Sequence, residues 1–334
     1  MQVHDVGLAL VAALLSWVLV GLYMHTMRAA RRLEPPNERS MHKVPVPVGA
    51  GLGMVAATLL LWPLFDAHGL STLQQVLLAC FAALGALSWV DDRRTLSPAI
   101  RLGAQGVAVA VCLCQLPVES RLLNSLPLLA ERLALGVAWL WFINLFNFMD
   151  GIDGLAGSEA VAIAVGYLGL ASLVGIDSSY WHLALIIAAA AAGYLVWNWH
   201  PARVLMGDAG SIPLGFVLGW LLIDLATAGY WPAAIILPLY FAADATLTLL
   251  KRLARGERPW KAHREHYYQH AVLAGLNPSQ VVVRISTANA LLGLLALLST
   301  RHPAWALSGA LVVVAALLAH LRGLAAVKST TIPH

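Results

Sequence analysis

Apolar residues run along this chain in long blocks, without the one-in-two alternation of a half-buried strand. Eleven blocks stand out: Val6–Met27, Val48–Phe65, Thr72–Val90, Pro98–Leu116, Arg132–Met149, Leu155–Gly175, Trp181–Trp197, Ser211–Ala228, Tyr230–Leu250, Gln280–Leu298 and Ala304–Arg322. A helix needs about 20 predominantly apolar residues to cross a bilayer. Unbroken apolar runs of this length predict helices, not barrel strands. The reading is an all-α polytopic membrane protein of about eleven transmembrane helices, one domain over residues 1–334, with no remainder for a large soluble domain.

Composition agrees. The chain is 60% hydrophobic with a mean hydropathy of +0.75, too apolar for a soluble protein of 334 residues. Charge then sets an orientation. All 21 Lys and Arg except Arg121, Arg132, Arg284 and Arg301 fall in alternate connections or at the C-terminal end. Basic residues mark the cytoplasmic side, so the N-terminus is expected outside and the C-terminus inside. Met1-Gln2-Val3-His4-Asp5 has no basic side chain, and Arg28, Arg31 and Arg32 follow the first block, which predicts an uncleaved first helix. The pI near 9.1 reads as topology and affinity for lipid phosphate, not as nucleic-acid binding. Cys80, Cys112 and Cys114 all lie in apolar blocks and read as small hydrophobes.

The polar side chains with chemical potential gather on the side predicted cytoplasmic, in loops near 28–47, 91–98, 150–154, 198–210 and 251–279. Charged residues are only 11% of the chain, so the acidic clusters Asp91-Asp92, Asp150/Asp153 and Gly207-Asp208 are conspicuous. Each alone has an ordinary reading: a solvated helix end beside Arg93 and Arg94, a turn, a helix cap. Together on one face they suggest a site for a metal and phosphates. Asn144, Asn147, Asp150 and Asp153 are spaced by three, so a continuing helix would stack them on one stripe. Oxygen donors suit Mg²⁺ or Mn²⁺. Mg²⁺ takes one or two carboxylates, so the remaining acids are expected to position substrate. His263, Arg264 and His266, on a short helix, suit phosphate recognition. Asp244 falls inside the ninth block, where a carboxylate needs an Arg or a helix end as partner. Asp224 lies near an outer end, and the other ten histidines read as interfacial or solvent-facing. A transporter of an anionic metabolite is the alternative, but it would place its ionisable groups near the bilayer midplane.

Pro36-Asn37-Glu38-Arg39-Ser40, Asp91-Asp92, Asn147-Phe-Met-Asp150-Gly-Ile-Asp153-Gly154, Gly207-Asp208-Ala-Gly-Ser211 and His263-Arg-Glu-His266, in this order, resemble the motifs of the polyprenyl-phosphate N-acetylhexosamine-1-phosphate transferases. The resemblance covers nearly the whole chain. The last motif looks most like the branch that initiates O-antigen; the muropeptide branch carries three consecutive histidines there. Where the family often reads Pro-Arg-Gly-Gly-Gly, this chain has Pro47-Val48-Gly49-Ala50-Gly51.

The resemblance implies an enzyme of the bacterial inner membrane with its active face toward the cytoplasm. Undecaprenyl phosphate would attack the β-phosphorus of a UDP-linked N-acetylated sugar, releasing UMP. It implies Mg²⁺ (or Mn²⁺) at Asp208, with Asp91 and Asp92 handling the lipid phosphate or the metal shell and Asp92 as second metal ligand. His263, Arg264 and His266 would bind the diphosphate or sugar, and Asn144, Asn147, Asp150 and Asp153 the nucleotide. It is also compatible with a homodimer. A phosphomonoester is already largely dianionic at neutral pH, so direct attack is expected over a covalent aspartyl intermediate.

Overall fold

The computed structural model describes residues 3–35, 41, 44–65, 69–94, 96–122, 125–175, 179–257 and 263–329. The Pro36–Ser40 motif, His42, Lys43, Arg258 and Lys261 lie outside the described residues. The described chain is mainly helical: α1 (Val3–Ala29), α2 (Leu52–Phe65), α3 (Thr72–Arg94), α4 (Pro98–Gln115), α5 (Leu128–Phe148), α6 (Leu155–Val174) and α7 (Trp181–Asn198). Then come α8 (Asp208–Leu225), a π-helical turn (Ala226–Tyr230), α9 (Trp231–Ile236), α10 (Leu239–Ala254), α11 (Tyr267–Leu273), α12 (Pro278–Leu298) and α13 (Pro303–Ser329). Among the described residues the only extended pairing is an isolated bridge between Glu34 and Val46.

Nine helices among the described residues are long and apolar enough to cross a membrane, so the chain is an all-α polytopic membrane protein. Two expected spans take a different form. The second is helical only from Leu52, because the segment before it pairs with the loop ahead of α8. Leu205 donates to the Pro47 carbonyl at 2.9 Å, and Ala50 and Gly51 donate to the carbonyls of Leu205 and Met206 at 3.0 Å each. The ninth is broken. Its start continues the eighth through Gly229, which lies between the two blocks and takes a left-handed φ of 96° in the π turn, a conformation that costs glycine little. The chain then runs through α9 to Leu237-Pro238 and resumes as α10, where proline removes a helical donor.

At the centre is α8, buried along nearly its whole length and apolar on every side, as a fully enclosed helix must be. It packs against α2, α3, α5 and α6, while α7 fills the space between α1, α2 and α6. Close approach uses small residues, as in other membrane bundles. A Cβ on Gly193 of α7 would stand 2.1 Å from the Ala13 carbonyl oxygen of α1. Two polar side chains in the bundle reach backbone acceptors: Ser16 donates to the Ala190 carbonyl at 2.7 Å and Trp139 to that of Phe216 at 2.8 Å. This packing fixes the ends of α3, α5, α6 and α8 beside one another, and the acidic clusters sit on those ends.

Candidate active site

Four helix ends converge. The α3 end supplies Asp91 and Asp92, α4 supplies Arg101, the α5 end supplies Asn147, and the first residue of α8 is Asp208. One guanidinium nitrogen of Arg101, Nη1, lies 3.2 Å from Asp91 Oδ2 and 3.1 Å from Asp208 Oδ2. The two carboxylates therefore converge on one point of positive charge. Asp91 is otherwise buried, its Oδ1 accepting the Leu96 amide at 2.5 Å. Asn147 Nδ2 donates to Asp208 Oδ1 and to Ser211 Oγ, both at 2.8 Å.

Asp92 faces differently. Its oxygens accept the backbone N–H groups of Asp208 and Ala209, each at 3.2 Å. It caps α8 from another helix, accepting from N–H donors that the first helical turn leaves without partners. Gly207, with φ 70°, makes room for it: a Cβ there would stand 2.8 Å from Asp92 Oδ2 and 2.7 Å from the Gly49 nitrogen. The glycines of the Pro47–Gly51 segment have a steric reason as well, since a Cβ on Gly51 would meet Gly210 Cα at 2.3 Å.

Asp150, Asp153, Asn147 and Asp208 line a cavity of about 400 Å³ with Glu34 and Asn198. The helical stripe ends early, since α5 stops at Phe148, so Asp150 and Asp153 lie in the loop. Burial pushes the Asp150 carboxyl up to about 7, with the negative charges of Asp208, Asp92 and Asp153 adding to it. Asp153 is held by His200 Nδ1 at 2.6 Å and by the Ala202 amide at 3.0 Å. His200 is thus a partner of the site and not a bystander; in sequence nothing distinguishes it from an interfacial histidine. Asn144 does not join the cavity. It bonds Gln105 Oε1 at 2.7 Å and its own helix at the Leu140 carbonyl.

The histidine loop forms a second group. His263, Arg264 and Glu265 are not helical; α11 begins at Tyr267, with His266 as its N-cap. The short helix expected across both histidines therefore starts only after them, yet the two rings still meet, with centroids 5.0 Å apart. His266 Nδ1 lies 3.1 Å from Asp244 Oδ1, and Asp244 also accepts the Tyr267 and Tyr268 amides at 3.1 and 3.3 Å. Asp244 is fully buried, and its expected partner, a helix end, is the start of α11. His266 stacks on Tyr268. The Tyr268 hydroxyl donates to the Phe148 carbonyl at 3.2 Å and fills the space where a Gly151 Cβ would be. That ring joins the histidine loop to the Asp150 loop. Burial, with the neighbouring His266 and Arg252, depresses His263 to about 4, so at neutral pH it is an uncharged imidazole. Arg252, buried and paired with Glu257 at 3.0 Å, has no distinguishing mark in the sequence, where it sits in an ordinary basic run.

Among the described residues no group of three or more His, Cys, Asp or Glu is arranged to hold a metal. The two-carboxylate junction is the shape available, and an oxygen pair of this kind fits a hard cation that completes its shell with water and phosphate.

A family model described as glycosyl transferase family 4 matches residues 74–226. A protein of Streptomyces coelicolor named as a glycosyltransferase is 31% identical, over 85% of this chain and 68% of its own length. The undecaprenyl-phosphate alpha-N-acetylglucosaminyl 1-phosphate transferase of Escherichia coli strain K12 is 28% identical, over 82% and 78%. A phospho-N-acetylmuramoyl-pentapeptide-transferase of Gloeothece citriformis is 27% identical, over 86% and 82%.

Proposed function

The chain belongs to glycosyl transferase family 4, and on that premise we propose that it transfers an N-acetylhexosamine 1-phosphate from a UDP-sugar to undecaprenyl phosphate. A lipid phosphate oxygen bonds to the β-phosphorus as the bond from that phosphorus to the bridging oxygen breaks. UMP leaves with the bridging oxygen, and the sugar remains on a lipid diphosphate.

The observation that carries this reading is the convergence of Asp91 and Asp208 on one cation, beside a cavity lined by Asp150 and Asp153. Both substrates are anionic, so the site must hold like charges in line. Asp208 and Asp91, with the amide of Asn147 alongside, would hold Mg²⁺ or Mn²⁺. When bound, the ion neutralises the diphosphate and stabilises the departing UMP. Asp92 fixes the start of α8 and with it the direction of Asp208. Asp150 and Asp153 shape the nucleotide cavity, and the Tyr268 bridge sets His263, Arg264 and His266 beside it. No base is required for the nucleophile, so the lipid phosphate attacks directly.

The reading extends to the product and the side. The relatives named for N-acetylglucosaminyl and for muramoyl-pentapeptide transfer are about equally similar in identity. His263-Arg264-Glu265-His266 lacks the three consecutive histidines of the muropeptide branch and favours a donor without peptide, such as one that begins O-antigen. The basic loops support a site on the cytoplasmic face. Purified protein with undecaprenyl phosphate and Mg²⁺ should release UMP from UDP-N-acetylglucosamine or a close epimer, and much less from UDP-N-acetylmuramoyl-pentapeptide. Preference for the peptide donor would overturn the branch, and no UMP from any donor would overturn the reaction. An externally active reporter should work after Gly69 and be silent after Gly256; the opposite pattern would invert the orientation.

A further inference from the structure

A second cavity, of about 440 Å³, opens at the same end of the bundle between α10, α11 and α13, away from the carboxylates of the site. Thr248, Lys251 and Arg255 line it from one face of α10, Tyr267 and His270 from one face of α11, and Arg322 from α13. Spacings of three and four put each helix's contributors on one stripe. The charges do not cancel. Arg252 and Arg255 are answered by Glu257 and Glu265, the last of which lines the cavity. Lys251 and Arg322 have no carboxylate partner among the described residues. Lys251 instead meets the Tyr267 hydroxyl and lies 4.5 Å from the centre of that ring. Two exposed cations thus face one cavity across a helix boundary, where an anion between them would gain from both.

The surroundings identify the kind of anion. Leu247 and Leu250, on the turn of α10 before Lys251, are 39% and 54% exposed, and Leu273 of α11 is 53% exposed. In a bilayer-spanning bundle such side chains meet acyl chains, and a lysine one turn beyond carries its charge to the headgroup level. Basic pockets between transmembrane helices at this face suit phospholipid headgroups. We propose that the α10/α11/α13 cavity holds the phosphate of an anionic membrane phospholipid, with Lys251 and Arg322 as its principal cations and His270 and Thr248 beside them. The inference rests on the membrane fold and not on the transfer reaction, so either can fail alone. It has a structural consequence. Lys251 touches Tyr267, whose amide is bound by Asp244 together with His266, so a lipid seated here braces the wall that carries the histidine loop.

The test uses the full chain in detergent micelles, titrated with phosphatidylglycerol and read by native mass spectrometry. A first lipid should bind saturably. Its affinity should fall about fivefold for each cation removed, about 25-fold in the Lys251→Gln/Arg322→Gln double variant. Arg301→Gln, which removes a charge in the turn between α12 and α13, should leave it unchanged. Swapping the cations, Lys251→Arg with Arg322→Lys, should retain binding, which separates lost charge from lost folding. Phosphatidylcholine should compete poorly, and glycerol phosphate in millimolar excess should not displace the lipid. Unchanged affinity in the double variant, loss of binding in the charge-conserving swap, or equal binding of phosphatidylcholine would overturn the proposal. Ready displacement by glycerol phosphate would make the cavity a site for soluble anions and overturn the lipid assignment.

Discussion

Asp208 and Asp244 are both carboxylates beside the start of a helix, and the fold treats them in opposite ways. Asp244 is fully buried and surrounded by donors: the Tyr240 and Thr248 hydroxyls, His266 Nδ1 and the amides of Tyr267 and Tyr268. Its acceptor capacity is used within the protein. Asp208 keeps a side chain 28% exposed and meets one amide donor and a guanidinium that it shares with Asp91. Its charge can be redirected to a ligand by moving one arginine. The contrast separates a carboxylate that organises the site from one available for chemistry.

The sharpest way to break that comparison is to neutralise each in turn. Asp208→Asn keeps the shape and loses the charge, so transfer should fall by about 10³, the worth of several kcal/mol of charge stabilisation. Its melting temperature in detergent should match wild type. Transfer within a few-fold of wild type at saturating Mg²⁺ would remove Asp208 from the metal role.

Asp244→Ala should show the reverse pattern. It strands a buried imidazole and two amides, each costing about 1–3 kcal/mol when left without a partner. The melting temperature should drop by several degrees, and activity should be lost with the folded fraction. The kcat of the molecules that remain folded should fall less than in Asp208→Asn. A normal melting temperature with dead chemistry would mean that Asp244 itself meets substrate.

The same comparison shows what the sequence could reveal. Apolar blocks made the membrane bundle legible, because a bilayer demands long unbroken hydrophobicity from each span. The acidic motifs were legible because charge is scarce here, so a cluster stands out. What remained hidden depends on which helix ends meet. That Asp92 caps α8, 116 residues away, or that His200 holds Asp153, follows from packing that no local spacing encodes. The halt of the second span at Leu52 likewise comes from pairing with residues 205–206. The break in the ninth has a local sign in Pro238, but helix-breaking residues are tolerated within membrane spans, so the sign is not decisive.

A smaller effect tests whether Arg101 holds the place of a cation. Its guanidinium is 39% exposed, so its attraction to the two carboxylates is worth up to about 1 kcal/mol after screening. In Arg101→Gln without donor, Mn²⁺ binding followed by electron paramagnetic resonance should tighten up to about fivefold. Weaker Mn²⁺ binding would mean that Arg101 orders the carboxylates and does not compete with the ion.

The smallest effect concerns His263, whose uncharged state is part of the internally balanced region. Its folded pKa, about 4, lies below the ordinary histidine value of 6.5. Between those values the unfolded chain binds a proton that the folded chain refuses. The resulting stability is complete above pH 6.5 and is lost as the pH falls toward 4. Asp150 acts in the opposite sense, since its carboxyl, raised to about 7, takes up a proton in the folded state over part of the same range. The wild-type profile alone therefore mixes several titrating groups, and the difference from His263→Gln isolates the histidine. Melting temperatures measured between pH 7.5 and 4.5 should fall more steeply with acidification in wild type than in His263→Gln, with the curves diverging below pH 6.5. Parallel curves would mean that His263 accepts its proton in the folded protein as readily as in the unfolded chain. It would then be free to meet an anionic substrate as a cation, and the histidine loop would belong with Asp208 among the groups whose charge is available.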